Sequence, residues 1–485
     1  MYTGYKKLDL GEVTMTDSPL WQMAATDLAK QIAKGEVSAR DAIAASIGRM
    51  HDRNPAMNAV VDDLSDEAMA EAARLDETFS RSGPVGPLHG VPVTIKENID
   101  QTGHATPNGV PALKGVIAPA DSPFVTNLKN AGAVVIGRTN TPEFSFRGTT
   151  DNPLHGRTFN PWNDWASAGG SSGGASSAVM SGMGAIAHGN DIGGSLRFPA
   201  TCTGAATVKP GLGRTPAYNP SQTAERGMLA QITSVQGVIC REVRDVRLAM
   251  QSAITYSPQD PWQVPMPWEG PAPEGPIKVG FTTDTYGFDM DPAVETALRT
   301  ARDALKDAGY VVEEIETPNM FEIGREATRT LFGETSALMG DVMRNYGSAS
   351  FNTYWAHCLD IAPPYQGDDL LAAYARRAGY VRQWLELLAD YPLVLTPFLL
   401  TPTYAHARDY EGREGAEDVM LKGFYSFAMN FMGLPAGNVP ANYNDGLPVG
   451  VQIVGRRFRE DMILDACEAV ESRVGVMAQR LFARD

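Results

Sequence analysis

The sequence predicts an α/β fold with parallel strand neighbours, and two stretches carry that prediction. Between residues 91 and 137 a short β-branched strand, a helix opened by Ser122-Pro123 and a second apolar strand follow one another. The same order returns between residues 277 and 315. Strand, helix, strand at this spacing is the signature of a crossover unit. With 485 residues, 43% hydrophobic and 20% charged, the chain has ample material for a large core.

Taken in order, Thr26 to Lys34 reads as a helix stopped by Gly35, and Ser38 to Asp52 as a second, opened by Ser38-x-x-Asp41. A third starts at Ser65, whose hydroxyl is expected to cap the alanine-rich run to Phe79. Pro87-Leu88-His89-Gly90 turns the chain into the strand Val91 to Ile95, which delivers Lys96 at its end. Pro123 opens the next helix from its first position. Gly132 ends it, and Ala133 to Gly137 follows as a buried strand. Ser257 to Pro276 holds seven prolines and marks the best internal boundary. A strand from Ile277 to Phe281 precedes a helix opened by Asp291-Pro292, with Val294, Leu298, Ala301 and Leu305 on one face. The strand Tyr310 to Ile315 completes that unit. Residues 320–390 read as helical and aromatic-rich, and Leu393 to Thr396 as a strand. Asn438–Ala441 and Leu447–Val454 form a hairpin through Asn444-Asp445-Gly446. The helix Glu460 to Glu471 is read as the last.

The net charge of −16 argues against nucleic acid or an anionic membrane as partner, since both require a basic face. Four cysteines, at 202, 240, 358 and 467, form no paired motif, so reduced thiols and a cytoplasmic location are the expectation. No apolar run reaches the roughly 18 residues of a spanning helix. Residues 1–20 are read as an N-terminal extension without the apolar segment of a signal peptide, with Met15 an alternative start.

The chemistry concentrates between Trp165 and Ala200, where Gly169-Gly170-Ser171-Ser172-Gly173-Gly174 and Gly193-Gly194-Ser195 flank a segment of small residues. Loops this rich in glycine admit close approach of a backbone or ligand, and can aim successive N–H groups at one anionic oxygen. A flexible linker is disfavoured, because apolar sequence lies between the clusters and resumes at Leu196. Gly169 to Gly173 matches the G-x-S-x-G nucleophile elbow, but the polar stretch before it is no strand and the seven histidines are scattered. No phosphate-loop or metal-ligand spacing occurs, and neither a metal nor a cofactor is expected. Lys96 at the end of a strand could simply snorkel to solvent. A lysine beside serine hydroxyls can also activate a nucleophile without histidine. An anion-binding protein with no catalytic activity is the reading from another class.

These motifs carry a resemblance. Gly86 to Asp100, Gly137-Arg-Thr-Asn140, Glu143-Phe144, Gly170-Ser-Ser-Gly-Gly174 and Asp191-Ile-Gly-Gly-Ser-Leu-Arg-Phe-Pro199 resemble the amidase signature family. Asn430 to Ala436 and Gly446 to Val454 are similar to its closing motifs, so the likeness spans about residues 24–470. The resemblance implies Ser195 as nucleophile, Ser171 on a cis peptide as proton relay, and Lys96 as ultimate base. It implies an oxyanion hole from the N–H groups of Ile192, Gly193, Gly194 and Ser195, with Ser172, Asp191 and Arg197 supporting the loop. Asn190-Asp191 stands where relatives often have Thr-Asp.

The implied fold is a single large mixed twisted β-sheet with helices on both faces, over residues 21–475. Its catalytic core would be about 62–250 and 391–475, and residues 250–390 its variable, substrate-facing part. The implied activity is cofactor-free hydrolysis of the C–N bond of a small carboxylic amide through a seryl acyl-enzyme. Ester, carbamate and hydrazide hydrolysis use the same residues and stay open, as does assembly as a homodimer. The glutaminase component of a tRNA amidotransferase is the rival; its ANLSRYDGVRYG-like segment has no match at Phe332 to Leu338.

Overall fold

Neighbouring residues of single strands pack into different apolar layers, which fixes helices on both faces of one sheet. In the strand 134–139, Val134 and Ile136 join Ile43, Ile47, Ala68 and Leu75 of two N-terminal helices, while Val135 joins Phe124, Val125 and Leu128. In the strand 393–396, Leu393 and Leu395 face Val294, Leu298 and Leu305, while Val394 faces Trp384 and Phe431. These strands are buried on both sides, so each opens on three consecutive apolar residues, Val134 to Ile136 and Leu393 to Leu395, rather than alternating.

A computed structural model describes residues 19–484, and the expected extension falls outside the described residues up to position 18. Eleven strands are described: β1 (Val60–Asp63), β2 (Pro92–Lys96), β3 (Val134–Thr139), β4 (Ile186–Asp191), β5 (Ala206–Lys209), β6 (Val235–Cys240), β7 (Lys278–Phe281), β8 (Val311–Glu314), β9 (Leu393–Thr396), β10 (Ala436–Asn444) and β11 (Leu447–Gly455). They form one mixed sheet in the order β1-β3-β2-β4-β6-β5-β10-β11-β9-β7-β8. β2 runs parallel to β3 and β4, and β7 parallel to β8 and β9; the centre is antiparallel.

Both predicted crossover units are present, with helices Pro123–Asn130 and Pro292–Asp307 between their strands. Ser122 and Asp291 cap them through side-chain oxygens, and Val294, Leu298, Ala301 and Leu305 are fully buried. The hairpin turns at Asp445-Gly446, both at positive φ. Residues 320–390 are three helices, Met320–Tyr346, Ala349–Ile361 and Gly367–Asp390. The proline-rich excursion is pinned by Arg214, which donates to the carbonyls of Met266, Pro267 and Trp268.

Two expectations are corrected. Ser65 does not cap its helix: its hydroxyl turns outward to Asp63 and His51, competing side chains that lie within reach. Glu460–Val474 is not the last helix, because Met477–Phe482 follows and buries Met477, Ala478 and Leu481 against Trp162 and Ala205.

Candidate active site

Lys96 ends β2 on the face opposite Val93 and Ile95, and its side chain is fully buried. Its Nζ lies 2.7 Å from Ser171 Oγ, 2.8 Å from Asn190 Oδ1 and 3.1 Å from Ser172 Oγ. Burial drives its pKa well below the usual lysine value, more than Asp191 and Glu97 restore. Ser171 and Ser172 sit on the turn into helix Gly173–Met180. The Gly170–Ser171 peptide is cis, and the Ser171 carbonyl accepts from Thr141 Oγ1 at 2.9 Å.

Ser195 is half-buried on the loop between β4 and helix Arg197–Thr203. The loop is wrapped around Asp191. Gly194 N–H donates to Asp191 Oδ1 at 2.7 Å and Leu196 N–H to Oδ2 at 3.2 Å. The N–H groups of Ile192, Gly193 and Ser195 have no hydrogen-bond partner among the described residues. Gly194 has φ +121°, and a Cβ there would strike Ser426 Oγ and the Phe198 ring. A Cβ on Gly193 would stand 2.6 Å from the Phe427 ring.

Arg197 and Asp191 are both fully buried and paired at 3.1 Å. Burial alone would raise the Asp191 carboxyl; Arg197, with Lys209 and Asn430, outweighs it and holds the pKa at about 2. Arg197 also donates to Gln452 Oε1 and Asn430 Oδ1, and Asn430 Nδ2 donates back to Asp191. Arg197→Met is therefore expected to cost about 3–5 kcal/mol of stability, because it strands a buried carboxylate. Urea denaturation measures this, and a loss under about 1 kcal/mol would deny the pair that role.

A cavity of about 80 Å³ opens over Ser195. Phe146, Phe198, Leu331, Phe332, Tyr354, Val419, Met420 and Phe427 line it, with Gly170, Ile192 and Gly193 at the serine. Its one charged lining residue, Arg147, is already paired in two bonds of 2.9 and 3.0 Å to buried Asp409, under the Tyr410 ring. The site thus offers an unshielded serine beneath an aromatic box with no free charge.

The structure brings Lys96, Ser171 and Ser172 into direct contact, and ties Asp191, Arg197 and Gly194 into one cluster beside Ser195. It departs from expectation at Gly194, whose N–H is committed to Asp191. No histidine fills the lysine's place. His188 accepts the Lys96 main-chain N–H, and burial lowers its pKa to about 3. Sequence reasoning noted Asn190 as a departure without giving it a role, and missed the roles of Asn98, Ser426, Asn430 and Gln452. Asn98, Asn430 and Gln452 lay inside recognised motifs, and a buried arginine with one acidic neighbour was the signal that further acceptors had to exist.

A lysine buried against two serines, beside a third serine on a loop with open N–H groups, is the arrangement of a serine hydrolase without histidine. The amidase family model matches residues 41–464, and the chain belongs to that family; it is an amide hydrolase. An indoleacetamide hydrolase of Bradyrhizobium diazoefficiens is 48% identical over 471 residues, 96% of this chain and 89% of that one. A glutamyl-tRNA(Gln) amidotransferase component from Moorella thermoacetica is 30% identical over 93% of this chain and 96% of its own length. A bacterial aryl acylamidase structure superposes with a TM-score of 0.85 at 26% identity, covering 96% of this chain and all of that one.

Proposed function

We propose that the chain hydrolyses the primary amide of an arylacetic acid, with indoleacetamide as its best substrate, to the free acid and ammonia. The observation that carries this reading is the aromatic cavity over Ser195, whose one charged lining residue, Arg147, is paired with Asp409. The 48% identical relative named for indoleacetamide supports it. Residues 250–390 act as the substrate-facing part, contributing Leu331, Phe332 and Tyr354.

Ser195 Oγ attacks the amide carbon while its proton passes through Ser171 to neutral Lys96. The oxyanion is held by the N–H groups of Ile192, Gly193 and Ser195, with Gly194 shaping the loop. The proton returns to the nitrogen, ammonia leaves, and water repeats the steps to release the acid and free Ser195. Ser172, Asp191 and Arg197 keep the two loops in register. Four buried, unpaired cysteines support a cytoplasmic setting.

The test is release of acid and ammonia from indoleacetamide, phenylacetamide, acetamide and glutamine. Burying an aryl group of about 150 Å² at about 25 cal/mol/Å² gives a preference in kcat/KM of roughly 10²–10³ for indoleacetamide over acetamide. Preference for glutamine would favour the amidotransferase reading instead.

A further inference from the structure

Asn190, the residue at which the sequence departs from Thr-Asp, contacts the lysine directly. We infer that Asn190, locked in place by Asn98, is a positioning residue that aims the lone pair of neutral Lys96 at the Ser171 hydroxyl. The inference rests on Lys96 being the base.

Three oxygens surround Nζ, and a neutral amine has two N–H bonds and one lone pair. Asn190 Oδ1, at 2.8 Å, is a carbonyl oxygen and can only accept. Ser172 directs its own hydrogen to the Asn190 main-chain carbonyl at 3.4 Å, so it also faces the lysine as an acceptor. Both N–H bonds are then used. The lone pair is left pointing at Ser171 Oγ, 2.7 Å away, the one hydroxyl free to give its proton. When Lys96 takes up that proton, the same three oxygens accept all three ammonium hydrogens.

The scheme depends on which way the Asn190 amide faces, and Asn98 fixes it. Asn190 Nδ2 donates to Asn98 Oδ1 at 2.9 Å, while Asn98 Nδ2 donates to Ser145 Oγ at 2.8 Å and reaches Asn190 Oδ1 at 3.3 Å. Ser145 sends its hydrogen to Asn108 Oδ1 at 2.5 Å, so it must accept from Asn98. A flipped Asn190 would set oxygen against oxygen at Asn98 and offer its NH₂ to the lysine lone pair, blocking the base.

The charged and titratable neighbours are accounted for. Asp191 of β4 is paired with Arg197, and Glu97, just past β2, is bonded to His155 at 2.9 Å. His188 of β4 meets the Lys96 main chain, and Arg138 of β3 is bound to the Glu97 and Ile99 carbonyls. None of these is hydrogen-bonded to Nζ; Asp191 and Glu97 act on the lysine through space, and the side-chain partners of Asn190 are Lys96 and Asn98.

The experiment is the pH profile of kcat and kcat/KM for amide hydrolysis by the full chain and its Asn190→Ala, Asn190→Asp and Asn98→Ala variants, with thermal melts confirming folding. Asn190→Ala should lower plateau kcat about 10- to 100-fold with little change in KM. Its acid limb should move to lower pH, because the ammonium loses an acceptor. Asn190→Asp keeps the acceptor but adds charge, so its limb should move about one unit or more to higher pH while the plateau recovers toward wild type. Asn98→Ala, which does not touch the lysine, should lower kcat about 3- to 10-fold through the freed amide. Limbs that coincide in wild type, Asn190→Ala and Asn190→Asp would reduce Asn190 to packing and overturn the inference. Near-normal turnover in Lys96→Arg would instead overturn the lysine's role as base, and this inference with it.

Discussion

Replacing Ser195 by alanine is expected to lower kcat by about 10⁵–10⁶ with the fold intact, the scale on which a serine nucleophile is lost. Ser195 is the hydroxyl that both borders the cavity and lies beside the open N–H groups of its own loop. Ser171 cannot stand in for it, since it is 1% exposed and turned toward the lysine. Phenylmethylsulfonyl fluoride followed by peptide mass mapping supplies the matching positive result, an adduct on Ser195. An adduct on Ser171 would return the chemistry to the G-x-S-x-G elbow.

Changing Lys96 should cost nearly as much, and the sign of its pH effect is fixed by burial. An ordinary lysine, with a pKa of about 10.4, is almost wholly protonated at neutral pH and cannot accept a proton. Here burial lowers the pKa, so the neutral amine is populated at lower pH. The value of kcat/KM should therefore rise with pH through the folded-state pKa and level off well below 10.4. Between the folded and unfolded pKa values the unfolded chain binds the extra proton, so wild-type stability should also rise with pH across that window. Lys96→Met should remove that contribution. Lys96→Ala and Lys96→Arg should both lose about 10⁴ or more in kcat, the arginine because guanidinium keeps its proton. Turnover near wild type in Lys96→Arg would refute the mechanism.

Legibility from sequence followed the kind of signal each element carries. β9 was visible as an apolar run, β10 and β11 as a hairpin about Asn444-Asp445-Gly446, and helix Pro292–Asp307 announced itself by an Asp-Pro start and one apolar face. β4 was not visible, because Ile186-Ala-His-Gly-Asn-Asp191 has neither alternation nor bulk. It is a strand because β2 and β6 pair with it on either side, and its glycine at 189 leaves room for Ser172. The candidate residues Ser171 and Ser195 were legible since their glycine-serine pattern is rare. Their supports were not: Asn98 and Asn190 are 92 positions apart, and only the sheet makes them partners. Gly194 shows the opposite limit, where a motif assigned an N–H group that the Asp191 carboxylate already holds.

Phe427 carries a consequence for how this enzyme can change. Its ring walls the cavity over Ser195 and also lies against Gly193, while its neighbour Ser426 donates to the Gly193 carbonyl at 2.9 Å. Enlarging the cavity by trimming Phe427 would loosen the loop that carries Ser195, so a new substrate range gained there is expected to arrive with a slower enzyme. Leu331, Phe332 and Tyr354 line the cavity from helices 320–346 and 349–361, outside the sequence of that loop. Inherited variation in what the enzyme accepts should accumulate on those two helices, and the residue at 427 should change only in lineages that also rebuild the loop it leans on.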